Sequence, residues 1–167
     1  MTAVELDPKI AAEYRRRFPE DEVVEADAHE YLLLHFEEFD FIWSSPPCQT
    51  HSRTNHFLKA QGKRRYADMR LYQEIVFLKT HFKGRWVVEN VISYYEPLII
   101  PQKVGRHYLW SNFVIPSIPQ PKQEIGCMNG KYQRGHEKPL VERNATNPEL
   151  GLHALRCAFK IRQEVLT

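Results

Sequence analysis

The best-placed candidate nucleophile of this chain is Cys48, which follows two prolines in a predicted turn. It ends the Ser-Ser-Pro-Pro-Cys run 44–48 and follows the apolar stretch 39–43, which predicts a short buried strand. The two prolines cannot donate backbone hydrogen bonds, so they end the strand and stiffen the turn. A buried structural cysteine is the alternative interpretation. A reactive role is favoured by the polar residues that follow: Gln49, His51 and Ser52.

A carboxylate at the end of a second apolar stretch could supply the proton transfer that such a nucleophile needs. A free thiol has a pKa of about 8.5, so only a few per cent is thiolate at neutral pH, and the substrate also needs a proton donor. Residues 85–91 predict a second buried strand, with Glu89 and Asn90 near its end. Ligands of open α/β sheets bind at the carboxyl ends of the strands. Two parallel strands would therefore place Cys48 and Glu89 over one crevice.

Three motifs, in order along the chain, resemble those of the cytosine-C5 DNA methyltransferases. Residues 46–49 (Pro-Pro-Cys-Gln) followed by Ser52 resemble the nucleophile motif, and residues 89–91 (Glu-Asn-Val) resemble the second catalytic motif. Residues 101–108 resemble the Gln-x-Arg-x-Arg motif, although Val104 occupies the position of the middle arginine.

The resemblance implies methyl transfer from S-adenosylmethionine to C5 of cytosine in DNA. Cys48 would add to C6, Glu89 would donate a hydrogen bond or proton at N3, and Arg106 would contact the base. Other motif residues would bind the substrate or support the site: Gln49, Ser52, Asn90 and Gln102.

Two acids, Glu5 and Asp27, end the first two predicted strands, 2–6 and 22–26. An acid in this place commonly accepts hydrogen bonds from ribose hydroxyls, although a lone acid is more often a solvated surface group. The resemblance implies that Glu5 holds the ribose of S-adenosylmethionine and Asp27 reads its adenine. It also implies two further cofactor contacts, Pro46 and Asn144.

The order of the elements predicts an α/β fold. Helices expected at 8–18, 28–37 and 67–82 alternate with the strands, which indicates a doubly wound sheet. The resemblance implies the Rossmann-like fold of S-adenosylmethionine-dependent methyltransferases. The predicted organisation has three parts: a catalytic α/β domain (1–115), a short basic Pro/Gly-rich insert in the target-recognition position (116–142) and a C-terminal helix that returns to the catalytic domain (143–167).

The family's opening motif is a strand that ends in a Gly-x-Gly turn, and this sequence contains no such turn. Its first glycine is Gly62. We therefore expect a fold that is incomplete at the N-terminus, in a truncated or split member of the family. A second polypeptide could supply the missing strand, and the chain alone is expected to bind S-adenosylmethionine weakly.

Composition sets broad limits. The 167 residues fit one domain, and a hydrophobic fraction of 43% is enough for a core. The three cysteines are too few and too scattered for a disulfide framework, which favours a reducing, cytoplasmic compartment. The sequence has no apolar run of about 18 residues, so no membrane span is predicted. A zinc site is not expected, because the spacing of the candidate ligands fits no common pattern: Cys127, His136, His153 and Cys157.

The net charge of +2 does not by itself indicate a nucleic-acid partner, but the charge is uneven. Residues 49–65 predict a polar loop with five basic residues and no acid, suited to phosphate contacts as well as to plain solvation. DNA is the expected partner. Two alternatives stay open: a partner-dependent or inactive subunit that only binds nucleic acid, and a tRNA cytosine-C5 methyltransferase.

Overall fold

The computed structural model describes residues 1–63, 65–117 and 146–160. These residues fall into two compact units, one formed by 1–36 and 146–151 and the other by 37–117 and 152–160. Most of the predicted insert 116–142 lies outside the described residues, as do Cys127, His136 and Asn144. None of the helices in the described ranges is long and apolar enough to cross a membrane.

The first unit pairs two parallel strands with two helices: β1 (Thr2–Glu5), α1 (Pro8–Arg17), β2 (Glu22–Glu25) and α2 (Ala28–His35). Glu5 lies opposite Glu25 in the register, so both strands end at the same edge. Asp7 caps α1 by accepting a hydrogen bond from the Lys9 backbone N–H at 2.8 Å, and proline suits the first helical position. A 3₁₀ turn, Phe36–Glu38, follows α2.

The second unit is built on a four-stranded mixed sheet with two helices: β3 (Phe41–Ser44), α3 (Asn55–Ala60), α4 (Arg70–His81), β4 (Arg85–Val91), β5 (Gln102–Val104) and β6 (His107–Ser111). The strand order is β3-β4-β6-β5. β3 runs parallel to β4, with Ser44 opposite Val88, whereas β6 is antiparallel to both β4 and β5. The last helix, α5 (Pro148–Phe159), follows the Asn147 cap.

The core of the second unit lies between β4 and α4. The central residues of β4, 86–90, are all buried, as expected for a strand covered on both faces. The buried face of α4 carries Leu71, Ile75 and Leu78 at helical spacing. This packing positions the carboxyl end of β4, where the candidate site lies.

Gly84 lets the chain pass close to the start of β3. A Cβ atom at this position would lie 2.4 Å from the Phe82 ring and 2.6 Å from the Asp40 carbonyl oxygen. The same carbonyl accepts a hydrogen bond from the Arg85 backbone N–H at 2.9 Å. The close approach fixes where β4 begins beside β3.

The mixed α/β class is confirmed, but the described strands form two sheets rather than one doubly wound sheet. The prediction of a plain loop over 49–65 is wrong in part, since α3 lies within it. The three-residue strand β5 was not predicted, because so short a run has no readable alternation. The helix predicted over 67–82 begins three residues later, at Arg70.

Candidate active site

Cys48 lies in a tight turn just beyond the carboxyl end of β3. Its carbonyl oxygen accepts hydrogen bonds from the backbone N–H groups of His51 and Ser52, both at 3.0 Å. The thiol is half-buried. The turn therefore presents Cys48 at the strand edge, as the sequence predicts.

Asn90 fastens this turn to β4. Its Nδ2 atom donates to the Pro46 carbonyl oxygen at 3.0 Å, and its Oδ1 atom accepts from the Val91 backbone N–H at 3.0 Å. The side chain is buried, so water cannot replace either partner easily. Asn90 thus holds the proline corner from which Cys48 projects.

We expect Asn90→Ala to lower the free energy of unfolding by about 1–3 kcal/mol, because two part-buried backbone groups lose their hydrogen-bond partner. Chemical denaturation measures this change. Asn112→Ala is the matched control, since Asn112 also makes two backbone hydrogen bonds but is exposed. Equal losses in the two variants would contradict the role given to Asn90.

Glu89 is the buried acid at the carboxyl end of β4, with 7% of its surface exposed. Its Oε1 atom lies 2.5 Å from Nδ1 of His107, the first residue of β6. Sequence reasoning missed His107 as a functional residue. A signal was present, because His107 lies inside the run that resembles the Gln-x-Arg-x-Arg motif.

A buried histidine, His51, belongs to the Cys48 turn and makes a side-chain contact that supports it. His51 is 1% exposed, and its Nδ1 atom lies 2.6 Å from the Tyr95 hydroxyl oxygen. Tyr72 of α4 donates a hydrogen bond to the same oxygen at 3.3 Å. Burial lowers the pKa of His51, partly opposed by Asp68, and burial with the Tyr72 hydrogen bond raises the pKa of Tyr95. Both groups are therefore neutral near pH 7.

A second support of the site involves α4. The Ser44 hydroxyl, at the end of β3, donates a hydrogen bond to the Glu74 carboxylate. Glu74 is buried and lies three residues after Leu71 on the apolar face of the helix. An acid at that position of an apolar stripe was the signal that could have revealed the contact.

The other predicted residues around the motifs lie as follows. Gln49 is exposed, and its carbonyl oxygen accepts from Asn55 Nδ2 at 3.0 Å, while Ser52 Oγ accepts from the Thr54 hydroxyl at 3.0 Å. Gln102 of β5 donates through Nε2 to Ser111 Oγ at 2.8 Å and so ties β5 to β6.

Arg106 is exposed in the two-residue turn between β5 and β6. Gly105 precedes it with a φ of 58°, the left-handed conformation that favours glycine at the first position of such a turn. Cys48, Glu89, Pro46 and Asn90 come together at the shared edge of β3 and β4. Arg106 lies on the turn beside His107.

A family profile described as C-5 cytosine-specific DNA methylase matches residues 1–93, which is more than half of the 167 residues. The chain belongs to this family. Membership supports methyl transfer to cytosine as its activity, and use of S-adenosylmethionine is a general property of these methylases. No curated protein and no solved structure matches the chain.

Within this methylase fold the environment of Cys48 disfavours its thiolate. Burial raises the pKa of the Cys48 thiol, and the negative charge of Glu89 raises it further. A backbone hydrogen bond at Cys48 opposes these effects. Cys48 is therefore a thiol at neutral pH.

We expect alkylation of Cys48 by iodoacetamide to be slow at pH 7 and to keep rising above pH 8.5, since only the thiolate reacts. Glu89→Gln removes the negative charge, lowers the pKa of Cys48 and should speed alkylation at pH 8. Peptide mass spectrometry would follow Cys48 separately from the other cysteines. Glu96→Gln, at an exposed acid, is the control. A rate that levels off below pH 8 would contradict the raised pKa.

The two acids predicted to bind the cofactor belong to the first unit, at the carboxyl edge of β1 and β2. Glu5 Oε1 accepts from the Asp7 backbone N–H at 2.8 Å. Its Oε2 atom accepts no hydrogen bond from the described residues, so it can accept one from a hydroxyl group. Asp27 Oδ1 caps α2 by accepting from the N–H groups of His29 and Glu30 at 2.9 and 3.2 Å. Asp27 therefore has a structural role in the methylase whether or not it meets a cofactor.

Proposed function

We propose that this chain transfers a methyl group from S-adenosylmethionine to C5 of cytosine in DNA, through a covalent adduct between Cys48 and the base. The observation that carries the proposal is that Cys48 follows β3 and Glu89 lies near the carboxyl end of β4, the adjacent parallel strand, in a member of the methylase family. We further propose that residues 1–115 act as a Rossmann-like catalytic domain, that 116–142 read the target and that 143–167 return to the catalytic domain.

The chemistry needs a nucleophile on one side of the ring and a proton donor at its edge. Cys48 gives its thiol proton to the Glu89 carboxylate, and its sulfur forms a bond to C6. The C5–C6 π electrons move into the ring, and N3 takes the proton from Glu89. C5 thereby becomes an enamine carbon. S-adenosylmethionine, when bound, supplies the methyl group that C5 takes.

The second half of the reaction restores the base. The C5 proton passes to water, the electrons of the C5–H bond re-form the C5–C6 double bond, and the bond between C6 and Cys48 breaks. N3 returns its proton to Glu89, which passes it back to the Cys48 sulfur, so neither residue is changed after one turnover. The net result exchanges the C5 hydrogen for a methyl group.

The cytosine must leave the base stack to reach Cys48, because C6 is covered within a duplex. Basic side chains exposed after the cysteine would contact the flanking phosphates: Arg53, Lys63 and Arg65. Arg106, exposed on its hairpin turn, is proposed to contact the base.

The residues of the first unit fit the cofactor in their chemistry. Glu5 Oε2 can accept from a ribose hydroxyl, and Asp27 is proposed to read the adenine amino group. Pro46, whose carbonyl accepts a hydrogen bond from Asn90, is proposed as a further cofactor contact. Asn144 is proposed as a further contact.

The deciding experiment supplies tritiated S-adenosylmethionine and compares duplex DNA with tRNA as acceptors. Label in 5-methylcytosine of DNA is the expected result. Label found only in tRNA would show that the substrate is tRNA rather than DNA. DNA binding without label in either acceptor would favour a subunit that only binds nucleic acid.

A further inference from the structure

The contact between Glu89 and His107 is unusual, since both partners are largely shielded from water. Their side chains are 9% and 16% exposed, and Glu89 Oε1 lies 2.5 Å from His107 Nδ1. The register brings this about. Val91 pairs with His107 and Glu89 pairs with Leu109, so the acid and the histidine are diagonal neighbours on one face of the sheet.

A carboxyl group buried to this degree has lost most of its hydration and needs a donor. Among the described residues, His107 is the side chain that bonds Glu89, and it uses only Oε1. The Oε2 atom accepts no hydrogen bond there. The contact with His107 thus fixes Oε1 of Glu89, and Oε2 remains able to bond a ligand.

We propose that His107 is a positioning residue that holds the Glu89 carboxyl group through Oε1 and leaves Oε2 for N3 of the cytosine. This inference rests on the proposed function, in which Glu89 protonates N3. Once the proton has moved, Glu89 is a buried anion, and a hydrogen bond from His107 Nδ1–H to that anion is stronger than one to the neutral acid. His107 therefore favours the protonated ring over the free base.

Two variants separate positioning from folding. His107→Phe keeps a planar ring but removes the donor, and His107→Asn puts an amide N–H close to the position of Nδ1. We expect His107→Phe to lower kcat for DNA methylation by about 10- to 100-fold with little change in KM, because Glu89 is misplaced. His107→Asn should recover most of the loss. His81→Phe, at an exposed histidine, is the control.

A double-mutant cycle tests whether His107 acts through Glu89. When Glu89→Gln is already present, adding His107→Phe should lower kcat by less than about twofold, since the carboxyl group that His107 positions has been removed. A full 10- to 100-fold further loss, or failure of His107→Asn to recover activity, would overturn the proposal.

A spectroscopic measurement separates this proposal from the proposed function. In nitrogen-15 histidine spectra we expect a low-field Nδ1 proton that disappears in His107→Asn and moves upfield in Glu89→Gln. An unchanged resonance in Glu89→Gln would overturn the contact. A wild-type chain that transfers no methyl group would count against the proposed function, while the spectrum would still decide whether His107 holds Glu89.

Discussion

Replacing Cys48 with alanine is expected to abolish methyl transfer, with a loss of at least about 10⁴-fold, the scale seen when a covalent catalyst loses its nucleophile. The same change should abolish a stable adduct with DNA that carries 5-fluorocytosine. Fluorine at C5 cannot leave as a proton does, so the wild-type adduct cannot complete the elimination. A denaturing gel would show the adduct as a band of higher mass.

Cys157→Ala provides the matched control. Cys157 is also half-buried, and burial also raises the pKa of its thiol, but it lies on α5. The Cys157→Ala variant should form the adduct as the wild-type chain does. An adduct band that persists in Cys48→Ala and vanishes in Cys157→Ala would reassign the nucleophile.

The second large effect is expected at Glu89. Glutamine has almost the same volume and can still donate a hydrogen bond, but it cannot give a proton to N3. We expect Glu89→Gln to lower kcat by about 10²- to 10⁴-fold while the fold is retained. Tritiated methyl transfer measures the rate, and circular dichroism checks the fold.

The alkylation rate of Cys48 is a second measurement on the Glu89→Gln variant, and it should change in the opposite direction to the methylation rate. Methylation should fall while alkylation of Cys48 rises, because the charge that raises the pKa of Cys48 is gone. If the variant were simply unfolded, methylation would be lost and all of its cysteines, not only Cys48, would be alkylated faster. Unimpaired methylation in Glu89→Gln would remove the acid from the mechanism.

Local patterns were enough to predict the elements that carry the catalytic pair. The strand predicted over 85–91 has the same bounds as β4, because aromatic and β-branched residues 86–88 follow a glycine and favour a strand. The proline corner before Cys48 was also predictable, since proline constrains the backbone wherever it lies.

The supports of the pair could not be predicted in the same way. His107 contacts Glu89 across 18 residues of sequence, and Ser44 contacts Glu74 across 30. Such contacts depend on strand register and helix placement, which a local pattern does not encode. The separation of the strands into two described sheets likewise depends on pairing rather than on propensity.

The pleat of β4 has a consequence for how this strand can vary. Glu89 and Asn90 are neighbours in sequence, so their side chains leave opposite faces of the sheet, one toward His107 and the other toward the Pro46 carbonyl. Inserting or deleting one residue earlier in β4 would exchange the two, sending the amide to the histidine and the acid to the proline corner. The number of residues in β4 before Glu89 is therefore constrained by the different contacts that Glu89 and Asn90 make.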